Sequence, residues 1–103
     1  MERHQAKRVV FTIEEVMSKR LTEALKEAGV TGFSILPVKG GSGASGEWAR
    51  AGQVGLAGGM VQVICVIKPE RLDSVLESAF SVVEKHIGIV TIADVEVLRA
   101  DRF

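Results

Sequence analysis

Residues 39–59 read KGGSGASGEWARAGQVGLAGG, and this run stands between two strand-like segments, VTGFSILPV (30–38) and MVQVICVI (60–67). Glycines fall at Gly40, Gly41, Gly43, Gly46, Gly52, Gly55, Gly58 and Gly59, with Gly32 just upstream, so the backbone there is free to reshape. A loop of about twenty residues exceeds the ~12–15 above which loops in compact domains are functional or disordered. The rest of the chain is read as the scaffold of this loop. From about Ser42 to Gly58 the loop is expected to lack fixed structure without ligand, because no local core offsets the entropy of ordering glycine.

Working outward, Met1 to Ala6 shows no periodicity and Lys7 to Phe11 ends in the apolar, strand-forming run VVF, a short buried strand. Thr12-Ile13-Glu14-Glu15 has the spacing of a capping box and predicts a helix start there. Met17, Leu21, Ala24, Leu25 and Ala28 form its apolar stripe, and Gly29 its left-handed cap. Pro37 lacks a backbone donor, so the 30–38 strand should lie at a sheet edge at this point or be locally unpaired there. MVQVICVI reads as a central strand covered on both faces. Pro69 suits a first helical turn; Leu72, Val75, Leu76, Ala79, Phe80 and Val83 give a second amphipathic helix, with Gly88 its terminator after His86. Ile89 to Leu98 is the last strand. This order predicts one domain, 1–103, of α+β class: a ferredoxin-like βαββαβ sandwich with a four-stranded antiparallel sheet, two helices on one face and the long loop between strands two and three. The other sheet face stays bare and apolar, which favours an oligomer, as does the marginal core of so short a chain.

Thirteen basic and thirteen acidic residues cancel, so no overall field draws nucleic acid or an anionic membrane. An RNA-recognition domain shares this element order, but RVVF and MVQVICVI carry one aromatic between them, too few to stack bases. The single Cys65 excludes an internal disulfide and a cysteine metal site, and reads as buried and inert. His4 and His86 stand far apart and form no catalytic or metal set. The N-terminal MERHQAKR precedes too few apolar residues for a signal peptide or a spanning helix, so a cytoplasmic protein is expected. Gly41, four residues, then Gly46-Glu47 fails as a P-loop, since Glu stands where lysine is required. Successive amides over Gly40 to Gly43 could still form an anion-binding nest. Trp48 and Arg50 look like contact groups on the loop.

The run AGVTGFSILPVKGGSG (28–43), preceded by Glu23-Ala24-Leu25, resembles the PII signalling proteins, whose corresponding stretch leads into the so-called T-loop, here about 40–59. The ending IVTIADVEVLRADRF (89–103) is similar to the PII-like subgroup linked to bicarbonate transporters and carboxysomes, the carboxysome-associated PII proteins. The resemblance implies a homotrimer binding adenine nucleotides (ADP, AMP, ATP) in clefts between subunits, with bicarbonate as second ligand and a T-loop read by a partner protein, a bicarbonate transporter or a carboxysome-related protein. By position it implies that Gly32 and Ser34 line the cleft, that Lys39, Gly40, Gly41, Ser42 and Gly43 meet the phosphates, and that the backbone near Val66 and Ile67 touches the base. Gly88, Ile89 and Val90 would supply backbone contacts, and Arg99 and Arg102 would approach the phosphates. For bicarbonate, the implied set is Lys39, Gly41, Ser42, Gly43 and Arg50. The charged phosphate grip of PII proteins is absent from KHIGIV (85–90), and the chain has no tyrosine, hence no uridylylation site. It also stops at Phe103 without the cysteine-bearing extension of some transporter-associated members, so redox control of that kind is not expected. The expected function is a non-enzymatic sensor of adenylates and bicarbonate, signalling inorganic-carbon and energy state, with no catalytic cofactor. Two alternatives stay open: a structural trimer of the related ion-tolerance type, and a weak nucleotide hydrolase.

Overall fold

Strand β1, His4–Glu14, is the spine of the molecule, pairing antiparallel with β5 (Met60–Ile67) on one side and β6 (Gly88–Val97) on the other. The structure, a computed structural model, describes residues 1–43, 46–49, 59–84, 88–99 and 101. Between β1 and β5 come a 3-10 turn (Glu15–Met17), α1 (Ser18–Glu27), β2 (Ser34–Val38), β3 (Gly40–Gly43) and β4 (Gly46–Ala49). A second 3-10 turn, Pro69–Arg71, leads into α2 (Leu72–Val83). The main sheet runs β2-β5-β1-β6, the expected four-stranded antiparallel ferredoxin-like sheet, and β3 with β4 forms a separate ribbon. Of the two options that Pro37 leaves, the structure takes the edge: β2 is an outer strand.

One sheet face carries the core. Val9, Phe11 and Ile13 of β1 and Val61, Val63, Cys65 and Ile67 of β5 cluster with Met17, Leu21 and Leu25 from the first helical segment and Val75 and Ala79 from α2. Helix α1 closes with a Schellman motif: Gly29 takes φ 90°, its N–H donates to Lys26 O and that of Val30 to Leu25 O. Arg71 Nη2 donates to the α1 C-cap carbonyl, Ala28 O, at 2.5 Å, placing a cation at the negative end of the helix. A Cβ on Gly29 would displace the flexible end of the Arg71 side chain, but it is the positive φ that requires glycine here.

Several sequence expectations change. The first strand begins at His4, not Lys7, because residues 4–6 continue the ladder with β6. Thr12 is no helix cap: it sits inside β1, paired with Gln62 and Ile89, and the helix entry has no side-chain cap bond. The second strand starts at Ser34, since Val30 is spent closing the helix motif. Phe80 is 60% exposed, and α2 ends at Val83, before Gly88. Gly88 instead opens β6, where a Cβ would meet Thr12 O at 2.6 Å, so the close strand approach and not helix termination explains it. His86 lies outside the described residues. The central strand β5 is covered on one face; Gln62, Ile64 and Val66 on the other are half-buried.

The largest correction concerns the loop. Its first part is a β-ribbon, with Gly40 opposite Ala49, Gly41 opposite Trp48, Ser42 opposite Glu47 and Gly43 opposite Gly46. Backbone pairing needs no side chains, so glycine richness does not prevent it, and each pair satisfies polar groups an open loop leaves to water. Residues 50–58 lie outside the described part. Among the described residues, no helix is long and apolar enough to cross a membrane, and no group of three His, Cys, Asp or Glu could hold a metal ion.

Candidate functional site

The loop root is built where β2 and β5 converge. Val38 pairs with Met60, Lys39 alone separates β2 from β3, and the Glu15 amide donates to Gly59 O at 2.9 Å. Both loop ends are thus pinned to the same end of the sheet. The start of β6 arrives there too, with Gly88, Ile89 and Val90 opposite Ile13, Thr12 and Phe11. Lys39, Gly40, Gly41 and Ser42 are exposed. The glycine nest over Gly40 to Gly43 is not formed, because these residues run extended in β3, whereas a nest needs alternating left- and right-handed residues.

The remaining expected residues lie elsewhere. Ser34 faces Ile64 midway along β5, while Val66 and Ile67 pair with Arg8 and Lys7 at the opposite end. Arg99, exposed, follows β6 beyond Val97, which pairs with His4, at that same far end. Seven strand steps separate Met60 from Ile67, about 23 Å at ~3.3 Å each. Gly32 is exposed in the turn before β2, and a Cβ there would meet nothing within 4 Å, so the subunit itself does not require that glycine. Next to it, Lys26 Nζ lies 5.8 Å above the Phe33 ring and helps fix the entry to β2. Arg50 and Arg102 lie outside the described residues; Trp48 is in β4.

Sequence reasoning missed one polar pair. On the open sheet face Gln62 Nε2 donates to Thr12 Oγ1 at 3.2 Å, flanked by Leu36 opposite Gln62 and Ile89 opposite Thr12. Leu36 is 43% and Ile89 62% exposed, so a hydrogen-bonded couple sits inside an apolar row beside the loop root. The signal available was Gln62 itself, the one polar residue in MVQVICVI. Cys65, by contrast, is buried on the helix side, and desolvation pushes its thiol up to about 11, away from any nucleophilic use near neutral pH.

The candidate residues thus fall into two groups at opposite ends of one sheet. Within one chain, the loop root with Gly88 to Val90 and the Val66–Arg99 region are a sheet length apart.

The fold recurs in solved structures. CPII, a nitrogen regulatory PII-like protein from Thiomonas intermedia K12, bound to ADP, AMP and bicarbonate, superposes with a TM-score of 0.88 at 24% identity, over 99% of this chain and 96% of that one. CPII bound to ADP and bicarbonate gives 0.85 at 24% identity, over 99% and 97%. A DUF3240 family protein from Shewanella baltica OS155 gives 0.67 at 12% identity, over 84% and 86%. No curated protein matches the chain. The sequence profile of the nitrogen regulatory protein P-II family, however, matches residues 6–102, nearly the whole length. This chain therefore belongs to the nitrogen regulatory protein P-II family.

Proposed function

We propose that the protein is a non-enzymatic PII-like regulator that binds an adenine nucleotide (ADP, AMP or ATP) and bicarbonate in clefts between the subunits of a homotrimer. Its T-loop, about 40–59, then presents the ligand state to a partner protein of the bicarbonate-transporter or carboxysome type. The observation that carries this reading is the split of the candidate residues between two ends of one sheet. Lys39 to Gly43 and Gly88 to Val90 from one copy would meet Gly32, Ser34, Val66 and Ile67 from the next, with Arg99 and Arg102 closing on the phosphates. Bicarbonate is a small, strongly hydrated anion; it needs oriented N–H groups and a cation to offset lost hydration, for which Gly41, Ser42, Gly43, Lys39 and Arg50 are proposed. Family membership supports the reading, as does the likeness in fold to CPII, which was solved with ADP, AMP and bicarbonate.

A nucleotide that docks at the loop root orders amides the second ligand would otherwise have to order, so the two bind cooperatively, by about 1–3 kcal/mol and reciprocally. Calorimetric titration with AMP, ADP and ATP, each with and without bicarbonate, tests this. Binding that tightens with bicarbonate, without phosphate release, is the expected result. Absence of nucleotide binding leaves the structural trimer, and steady phosphate release leaves the hydrolase.

A further inference from the structure

Three cations lie at the outer end of β1: Arg3, Lys7 and Arg8. Lys7 and Arg3 each meet a carboxylate of β6. Lys7 Nζ is bonded to Asp94 Oδ1, its cross-strand partner, and Arg3 Nε lies 3.4 Å from Glu96 Oε2. Arg8, by alternation, projects from the opposite, open face. Its cross-strand neighbours there are Val66 and Ala93, and Ala6 and Val10 flank it along β1. It is exposed and makes no ion pair or side-chain hydrogen bond with any described residue.

The open face offers no acid to partner it. From β2 it receives Ser34, Leu36 and Val38; from β5 Met60, Gln62, Ile64 and Val66; from β6 Thr91, Ala93, Val95 and Val97. Its β1 acid is Glu14, six residues from Arg8, about 20 Å along the strand, and Glu2 precedes the strand. Glu2 Oε1 already lies 3.8 Å from His4 Nε2, and Glu14 is also engaged. Within one copy, then, no carboxylate of this face lies near the guanidinium. Arginine keeps its charge at any ordinary pH, so on assembly the guanidinium must find an anion from outside the chain or stay hydrated.

We propose that Arg8 binds an oxyanion, as a bidentate guanidinium contact, where copies of the open face meet. The inference rests on the intersubunit reading given above. It adds a cation whose backbone is paired on both sides in the central strand, whereas Lys39 stands between two strands. Small neighbours, Ala6 and Ala93, leave room beside it, and the fork geometry suits two oxygens of a phosphate or of bicarbonate.

The test uses the full chain, with Arg8→Met and Arg8→Lys compared with wild type by light scattering and by titration with ADP, inorganic pyrophosphate and bicarbonate, at about 50 and 200 mM salt. Arg8→Met, still assembled, is expected to weaken at least one arm about tenfold and flatten its salt dependence, with Arg8→Lys intermediate. The arms affected tell phosphate from carbonate. Unchanged affinities in all three arms overturn the proposal while leaving the nucleotide reading intact. Should Arg8→Met dissociate, Arg8→Lys is decisive: wild-type affinities with restored mass make Arg8 an interface residue only. If wild type binds neither ADP nor bicarbonate, the functional reading fails, and the pyrophosphate arm alone decides Arg8: loss in Arg8→Met supports it, and no difference overturns it.

Discussion

The two faces of the main sheet use the same residue types and reach opposite ends. On the helix side Val9, Phe11, Ile13, Val61, Val63, Cys65 and Ile67 are at most 5% exposed, and the β1 cation on that side, Lys7, is bonded to Asp94. On the other side Leu36 remains 43% exposed, Ile64 and Val66 are half-buried, and Arg8 stands without a described partner. Ala6 and Val10, which flank Arg8 on the doubly paired central strand, are nonetheless buried. The difference teaches that this chain spends its two helices on one face and leaves the second, apolar face uncovered within the subunit. Apolar strand residues on a face that the subunit leaves uncovered gain their hydrophobic free energy only on association.

The comparison breaks most visibly under one pair of substitutions. Phe11→Ala on the covered face is expected to cost about 3–5 kcal/mol in denaturant unfolding. Ile64→Lys on the open face should instead cut the oligomer mass to that of one chain by light scattering. If Ile64→Lys keeps the oligomer intact, the open face is not the association surface.

Gly88→Val comes next in size. Its Cβ would lie 2.6 Å from Thr12 O, a backbone atom that moves only with β1, so a loss of about 1–3 kcal/mol is expected, together with weaker ligand binding at the loop root. Wild-type melting in this variant would show that β6 can shift freely at its start.

The covered face also makes a pH prediction. Burial raises the Cys65 thiol from 9.0 to about 11, so the folded chain holds this proton more tightly than the unfolded one. The sign follows: its contribution is fully present below about pH 9 and is lost as pH rises toward 11. The slope is about 1.4 kcal/mol per pH unit in that window. Cys65→Val should flatten the alkaline limb of the stability profile; an unchanged limb would place the titrating group elsewhere.

Smallest for stability is Gly32→Ala, since nothing lies within 4 Å of the added methyl and φ is not in the left-handed region. Stability of the subunit should stay level or rise by about 0.4–1 kcal/mol. Nucleotide affinity should fall if the bare turn is there for close approach by a ligand. Equal affinity would remove Gly32 from the cleft.

Much of the fold was legible from local signals. The period of α1 placed Met17, Leu21 and Leu25 in the core, Gly29 announced its own left-handed cap, Pro37 announced an edge, and the boundaries of MVQVICVI match β5 to the residue. The errors share a cause. Thr12 looked like a cap and Gly88 like a helix terminator because both residue types favour those roles locally, and ladder pairing between β1, β5 and β6 overrode the preference. The candidate site was less legible. Its glycine root could be found by composition, but Thr12–Gln62 and Arg8 acquire meaning only from which face they share.

By itself the sequence determined the element order, the helix-covered core and the glycine-rich insertion between two strands, because periodicity, caps and turn residues act over a few neighbours. Only the tertiary structure decided the register. Register turned part of the glycine loop into a paired ribbon, and it put the loop root and the Val66 end a sheet length apart. It also set Lys7 against a carboxylate and left Arg8 on the open face without a described partner. Side chains alternate sides at every step along a strand, so facing and pairing depend on a partner strand distant in sequence, which no local pattern encodes.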